Sequence, residues 1–204
     1  MLDPRVLRLI AITPELTGER EGFVDRLTAA VRGGATCVQV RQKKASPREC
    51  VEIARLIIAA VTVPVIVNDR ADIALAAGAA GVHVGAADLP VVAVRRFAPP
   101  GFIIGASLGS DDELANARDA DYVGIGPVRT TQTKDDAGSA IGVDGFTRLA
   151  SLVSLPAVGV GGVDALAAAR LVAAGAAGVA VSSGIFSSLD PESATRQFAS
   201  ATGT

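Results

Sequence analysis

Residues 126–134 read Gly-Pro-Val-Arg-Thr-Thr-Gln-Thr-Lys. A short apolar run, Tyr122 to Ile125, leads into them. Hydroxyls at Thr131 and Thr133, backbone N–H groups and the Lys134 ammonium, gathered in one loop, suit a phosphate or diphosphate. The same composition also suits a plain polar surface loop. Other chemistry-bearing residues stand at intervals along the chain. Gln39, Arg41 and Lys43 alternate along one stretch, and at period two they share one face while Val38 and Val40 share the other. Asn68-Asp69-Arg70 and Asp88 add two separated carboxylates. Such a pair suits Mg²⁺, which takes one or two carboxylates and completes its shell with phosphate oxygens. Ser107, Gly161-Gly162 and Ser182-Ser183-Gly184 complete the set. Taken alone, several have plainer readings. Asp88 is better read as a helix N-cap, Asp69-Arg70 as a surface ion pair, Gly161-Gly162 as a tight turn, Ser183 as a cap, and His83 as a packed, hydrogen-bonded histidine.

The elements that must position these residues follow a repeat. An Ala-rich helical segment runs into a small-residue turn and then a short valine-rich strand, at 33–40, 77–84, 118–125 and 174–181. A second strand type lies between them: Leu7–Ile12, Pro64–Val67, Phe102–Ala106 and Pro156–Val160. Two of these open with proline, which costs no interior ladder bond at a strand's first residue. Helical patterns fall near Arg20–Val31, Pro47–Ala60, Ala71–Ala77, Leu89–Phe97, Asp111–Ala117, Val143–Leu152, Asp164–Ala173 and Pro191–Ala201. About eight strands in strict alternation with helices predict a parallel α/β sheet. Eight units favour a closed (β/α)8 TIM barrel, one domain over residues 1–204. An open Rossmann-like sheet would want a glycine-rich fingerprint after its first strand, where Thr13-Pro14-Glu15 stands.

In a parallel barrel, chemistry sits at the carboxyl ends of the strands. The singled-out residues fall at seven consecutive strand ends, from the second to the eighth. That concurrence weakens the plainer readings. It predicts two anion sites: one using Mg²⁺ with Arg41, Lys43 and Lys134, the other built from glycine and serine after strands seven and eight.

Composition narrows the partners. The net charge is −2 and aromatics make up 3% of the chain, with no Trp. Nucleic-acid binding and electrostatic membrane attachment are therefore not expected. Mean hydropathy is +0.42, but charges and glycines interrupt every apolar stretch before it reaches membrane-spanning length. The N-terminal residues lack a signal-peptide pattern. Cys37 and Cys50 have neither CxxC nor metal-ligand spacing and read as reduced, packed thiols in a cytoplasmic protein.

Assembled, these residues resemble the thiamine-phosphate synthase family over nearly the whole chain. The resemblance is carried by 38–43 (Val-Gln-Val-Arg-Gln-Lys), 67–72 (Val-Asn-Asp-Arg-Ala-Asp), 81–85 with Asp88-Leu89-Pro90, 104–107, 124–127 with 131–134, and 160–163. It implies an enzyme that joins a pyrimidine diphosphate to a thiazole phosphate by a dissociative route, releasing pyrophosphate. It implies that Gln39, Arg41, Lys43, Asn68, Ser107 and Lys134 hold the pyrimidine diphosphate, with Ser107, Lys134 and Arg41 nearest the chemistry. Asp69 and Asp88 would bind Mg²⁺. Thr131 and Thr133 would contact the thiazole phosphate, with Gly162, Ser182 and Ser183 around its phosphate. Expected partners are small phosphorylated molecules, and self-association into a homo-oligomer stays open. The chain departs from the family pattern at Gln42, Ala86, Leu108-Gly109 and Arg129-Thr130. Two rivals share the barrel: a thiazole tautomerase, which needs no diphosphate or Mg²⁺ site, and a non-catalytic barrel that binds phosphorylated ligands.

Overall fold

A computed structural model describes residues 2–17, 19–130 and 139–204. Eight parallel strands close into a barrel in sequence order: β1 (Leu9–Ile12), β2 (Cys37–Val40), β3 (Val65–Asn68), β4 (Gly81–Val84), β5 (Ile103–Leu108), β6 (Tyr122–Ile125), β7 (Ala157–Val160) and β8 (Gly178–Val181). β8 pairs back onto β1 through Leu9 and Val179. The barrel expectation holds, and closure leaves no open sheet edge for the Rossmann alternative.

The helices are α1 (Arg20–Arg32), α2 (Pro47–Ala60), α3 (Ala71–Ala77), α4 (Val91–Phe97), α5 (Gly142–Ala150), α6 (Ala165–Ala173), α7 (Ser183–Phe186) and α8 (Pro191–Thr202). Local chemistry explains the sharpest boundary. Ser46 and Glu49 form a reciprocal capping box before Pro47, so α2 begins there. The helical pattern at Asp111–Ala117 is a 3-10 helix instead. The first strand also starts later than expected, because Pro4–Leu7 form a 3-10 turn capped by the Asp3 side chain.

Side-chain alternation sorts the core into two layers. Val38, Val40, Val65, Val67, Val123 and Ile125 point outward and pack against helix residues such as Leu27, Ile53, Ile57, Phe146 and Leu171. Each fully buried aliphatic side chain there contributes about 1.5–3 kcal/mol. The barrel interior holds Leu7, Ile10, Ile12, Cys37, Ile66, Tyr122, Val158 and Ala180. Gln39 lies between the two outward-facing valines of β2 and is buried, as the alternation predicts. Among the described residues, no helix is long and apolar enough to cross a membrane.

Candidate active site

A cavity of about 750 Å³ opens at the carboxyl ends of the strands. Gln39, Arg41, Lys43, Asn68, Asp69, Asp88, Ser107, Gly162, Ser182 and Ser183 all line it. Ten of the candidate residues thus meet at one site. Thr131, Thr133 and Lys134 lie outside the described residues.

β2 and the segment after it supply the cationic side. Thr13, after β1, accepts the Arg41 backbone N–H through Oγ1 at 2.9 Å and fixes the strand's exit. The Arg41 Nε is buried and, among the described residues, has no hydrogen-bond partner. A buried guanidinium N–H without an acceptor is costly, and a ligand oxygen would satisfy it. Lys43 is exposed, and its Nζ lies 3.7 Å from Asp69 Oδ2.

The departure at Gln42 has a structural account. Its Nε2 donates to the Pro14 carbonyl at 2.6 Å and to Thr13 Oγ1 at 3.2 Å, while its Oε1 accepts from the Leu16 N–H at 2.7 Å. The amide therefore ties the loops after β1 and β2 together with both donor and acceptor, which a carboxylate cannot do. Gln42 is buried in that role and does not line the cavity.

β3 and β4 supply the carboxylates. Asp69 follows β3 with φ of 66°, in the left-handed region that few non-glycine residues adopt. Its N–H donates to the His83 carbonyl at 2.7 Å, which stitches the turn to β4. Burial pushes the Asp69 carboxyl above the usual carboxylate range, the Asp88 charge adds to that, and Lys43 opposes it. Asp88 is not the helix cap expected of it. α4 starts beyond Pro90 without a side-chain cap, and Asp88 Oδ2 instead accepts the Gly85 N–H at 2.7 Å, closing the loop after β4. Nor do Asp69 and Arg70 pair with each other. Arg70 turns to Asp72 at 2.6 Å, leaving Asp69 facing Lys43 and Asp88.

On the opposite side, the loop after β6 runs alongside the loop after β7. Val128 N–H donates to the Val160 carbonyl at 2.9 Å, and Arg129 N–H to the Gly161 carbonyl at 3.0 Å. Gly162 has φ of 64°, and a Cβ there would stand 2.8 Å from the Arg129 and Thr130 carbonyl oxygens. Only glycine fits, so Gly161-Gly162 is a tight turn and a wall of the cavity together. The Arg129 guanidinium pairs with Asp164, the N-cap of α6, whose carboxyl accepts the Ala167 N–H at 2.7 Å. Ser182 precedes α7, a four-residue turn the sequence reading did not foresee, and makes no side-chain cap.

The other departures are also placed. Leu108 is fully buried at the end of β5. Gly109 donates its N–H to the Glu113 carboxylate at 2.6 Å, and both line the cavity. Glu113 was not among the candidate residues, and only the turn made it a neighbour of the site. Ala86 is exposed at the rim. Tyr122 was read as the start of a strand, yet it too reaches the cavity floor, where His83 contacts it and Ser107.

Arg41, Lys43, Asp69 and Asp88 can hold a polyanion and a divalent cation together. The glycine and serine side can take a second phosphate. Comparisons with known proteins agree in kind. The family model described as thiamine monophosphate synthase matches residues 9–185. A thiamine-phosphate synthase of Azorhizobium caulinodans is 44% identical over 202 residues, covering 96% of this chain and 95% of that protein. One from Methanoculleus marisnigri is 43% identical, covering 92% of each chain. Among solved structures, thiamine phosphate pyrophosphorylase from Pyrococcus furiosus superposes with a TM-score of 0.84 at 33% identity, over 98% of this chain and 97% of that one.

Proposed function

This chain belongs to the thiamine monophosphate synthase family, and we propose that it joins 4-amino-2-methyl-5-hydroxymethylpyrimidine diphosphate to a thiazole phosphate, releasing pyrophosphate. One observation supports this reading above the others. Two mutually repelling carboxylates, Asp69 and Asp88, share a cavity with Arg41 and Lys43, an arrangement suited to a metal–diphosphate pair.

The residues fit Mg²⁺. Among the described residues, no cluster of three or more potential metal ligands exists. Two carboxylates would leave most of the coordination shell to water and phosphate oxygens, as Mg²⁺ prefers. Bound there, Mg²⁺ would neutralise charge building on the leaving diphosphate. Arg41, Lys43 and Lys134 hold that same charge, and Arg41 offers a buried Nε–H that has no partner among the described residues. Asn68 and Ser107 supply hydrogen bonds, and Gln39 reaches the pyrimidine from the barrel interior. The C–O bond to the diphosphate breaks with its electron pair going to the diphosphate. The thiazole nitrogen lone pair then forms the new C–N bond to the pyrimidine methylene cation. Gly162, Ser182 and Ser183, with Thr131 and Thr133, hold the thiazole phosphate so that this nitrogen faces the cation. No enzymic nucleophile is required. Ile12, Val158, Val160 and Ala180 line the floor and limit the water that would otherwise capture the cation. The buried free thiols Cys37 and Cys50 agree with a cytoplasmic setting.

The test mixes purified protein, both phosphorylated substrates and Mg²⁺ and follows pyrophosphate. Release at a rate set by enzyme concentration is expected. No release beside a working control enzyme would overturn the proposal. Isomerisation of a thiazole carboxylate phosphate without pyrophosphate would replace it with the tautomerase.

A further inference from the structure

A chain of polar side chains crosses the cavity floor. His83 Nδ1 lies 3.0 Å from the Tyr122 hydroxyl, and His83 Nε2 lies 3.1 Å from Ser107 Oγ. The two rings are tilted, with centroids 5.5 Å apart. The barrel makes room for them by omitting side chains. A Cβ at Gly105 would stand 2.3–2.5 Å from the Tyr122 ring edge and hydroxyl, and one at Gly124 would stand 2.9 Å from His83 Cε1. Tyr122 is fully buried, which pushes its phenol well above its ordinary acidity range. The phenol therefore keeps its proton. The Tyr122 hydroxyl lies at hydrogen-bond distance from His83 Nδ1, and a buried hydroxyl proton needs an acceptor, so the phenol's proton is directed to His83 Nδ1. With Nδ1 accepting, a neutral imidazole must carry its proton on Nε2 and donate it to Ser107 Oγ. The hydroxyl proton of Ser107 is then left to point into the cavity.

We propose that His83 is a positioning residue: Tyr122 selects its Nε2–H tautomer, and that tautomer fixes Ser107 as a hydrogen-bond donor toward an anionic phosphate oxygen. The identity of the acceptor rests on the proposed function; the tautomer does not. The reverse polarity would turn the Ser107 lone pairs toward an anion, which would repel it.

The chain contains one histidine, so 15N-histidine labelling of the full protein reports this ring alone. At mildly alkaline pH, without substrates, the expected spectrum has a bare, pyridine-type Nδ1 and a protonated Nε2. Tyr122→Phe should shift the ring toward a tautomer mixture. In turnover, His83→Gln can still offer an amide N–H near Ser107 and should stay within about threefold of wild type. His83→Leu cannot, and should raise KM for the pyrimidine diphosphate about tenfold or more, the worth of a hydrogen bond to a charged group. A native ring protonated on Nδ1, or on both nitrogens, would overturn the proposal. So would equal losses in the two His83 variants. Because the native spectrum needs no turnover, it stands or falls separately from the synthase reading.

Discussion

The two sides of the cavity are built by opposite means. The side formed by β2 to β4 grips with side chains: Arg41 with a buried Nε that has no partner among the described residues, Lys43 at 3.7 Å from Asp69, and Asp69 beside Asp88. The side formed by the loops after β6 to β8 is shaped by backbone. There, carbonyls and N–H groups of 128–129 and 160–161 pair beyond the ends of the strands, and Gly162 exists to leave space. Charge concentrated on the first side is costly in the empty protein, and under the proposed function a metal–diphosphate would put it to use. Backbone on the second side is satisfied beforehand and needs no counter-charge. The difference predicts that the first side trades stability for activity, and that the second side supplies both.

Asp69→Asn tests the trade most severely. Asn tolerates the left-handed backbone at this position, so the turn should survive. Activity should fall about 10²–10³-fold, the range for losing one preorganised electrostatic group. Stability should move the other way. A carboxyl whose pKa is raised in the folded state weakens the fold where it is ionised, and the penalty fades as pH falls through the raised value. The melting temperature of the empty variant should therefore exceed wild type by about 2 °C at neutral pH, and the gap should close on acidification. Mg²⁺ should stabilise wild type and leave the variant unmoved. A variant that is both inactive and less stable at neutral pH would remove the idea that charge on this side is held under strain.

Gly162→Ala probes the backbone side. The added methyl would occupy a φ of 64° and meet two carbonyl oxygens at 2.8 Å. A cost of about 2 kcal/mol is expected for the strained backbone, or roughly 6 °C in melting temperature. KM for the thiazole phosphate should rise about tenfold, as for one lost hydrogen bond to a charged group, while KM for the pyrimidine diphosphate stays nearly constant. Equal rises for both substrates would erase the division of labour between the two sides.

The charged side was far more legible in the sequence than the backbone side. Period-two alternation placed Gln39 inside and Val38 and Val40 outside, because a short strand leaves no other choice once one face is buried. Strand ends collect polar residues where a ligand satisfies them, so Asp69 and Asp88 stood out by type alone. Their actual partners did not. The Asp88 contact to Gly85 is local but depends on a turn, and α4 starting beyond Pro90 removed the cap role. α7 spans only four residues, too few for periodicity to register. The His83 contacts join residues 24 and 39 positions apart through strand register. Chain position alone cannot supply that register. The paired loops after β6 and β7 are legible only through Gly161-Gly162, and a glycine pair states that space is needed without stating what fills it.

The smallest effect belongs to the most visible departure from the family pattern, Arg129. Its guanidinium pairs with Asp164, but the two side chains are 57% and 52% exposed. Pairs in that setting contribute about 0.5 kcal/mol and weaken with salt. The backbone bonds of Val128 and Arg129 to Val160 and Gly161 do not involve the side chain. Arg129→Ala should therefore lower the melting temperature by about 1–2 °C, less at high ionic strength, and change KM for the thiazole phosphate by no more than about twofold. A loss as large as that of Gly162→Ala would mean that the ion pair, and not the backbone ladder, holds these loops together. The backbone side of the cavity would then be gripped by charge as the other side is.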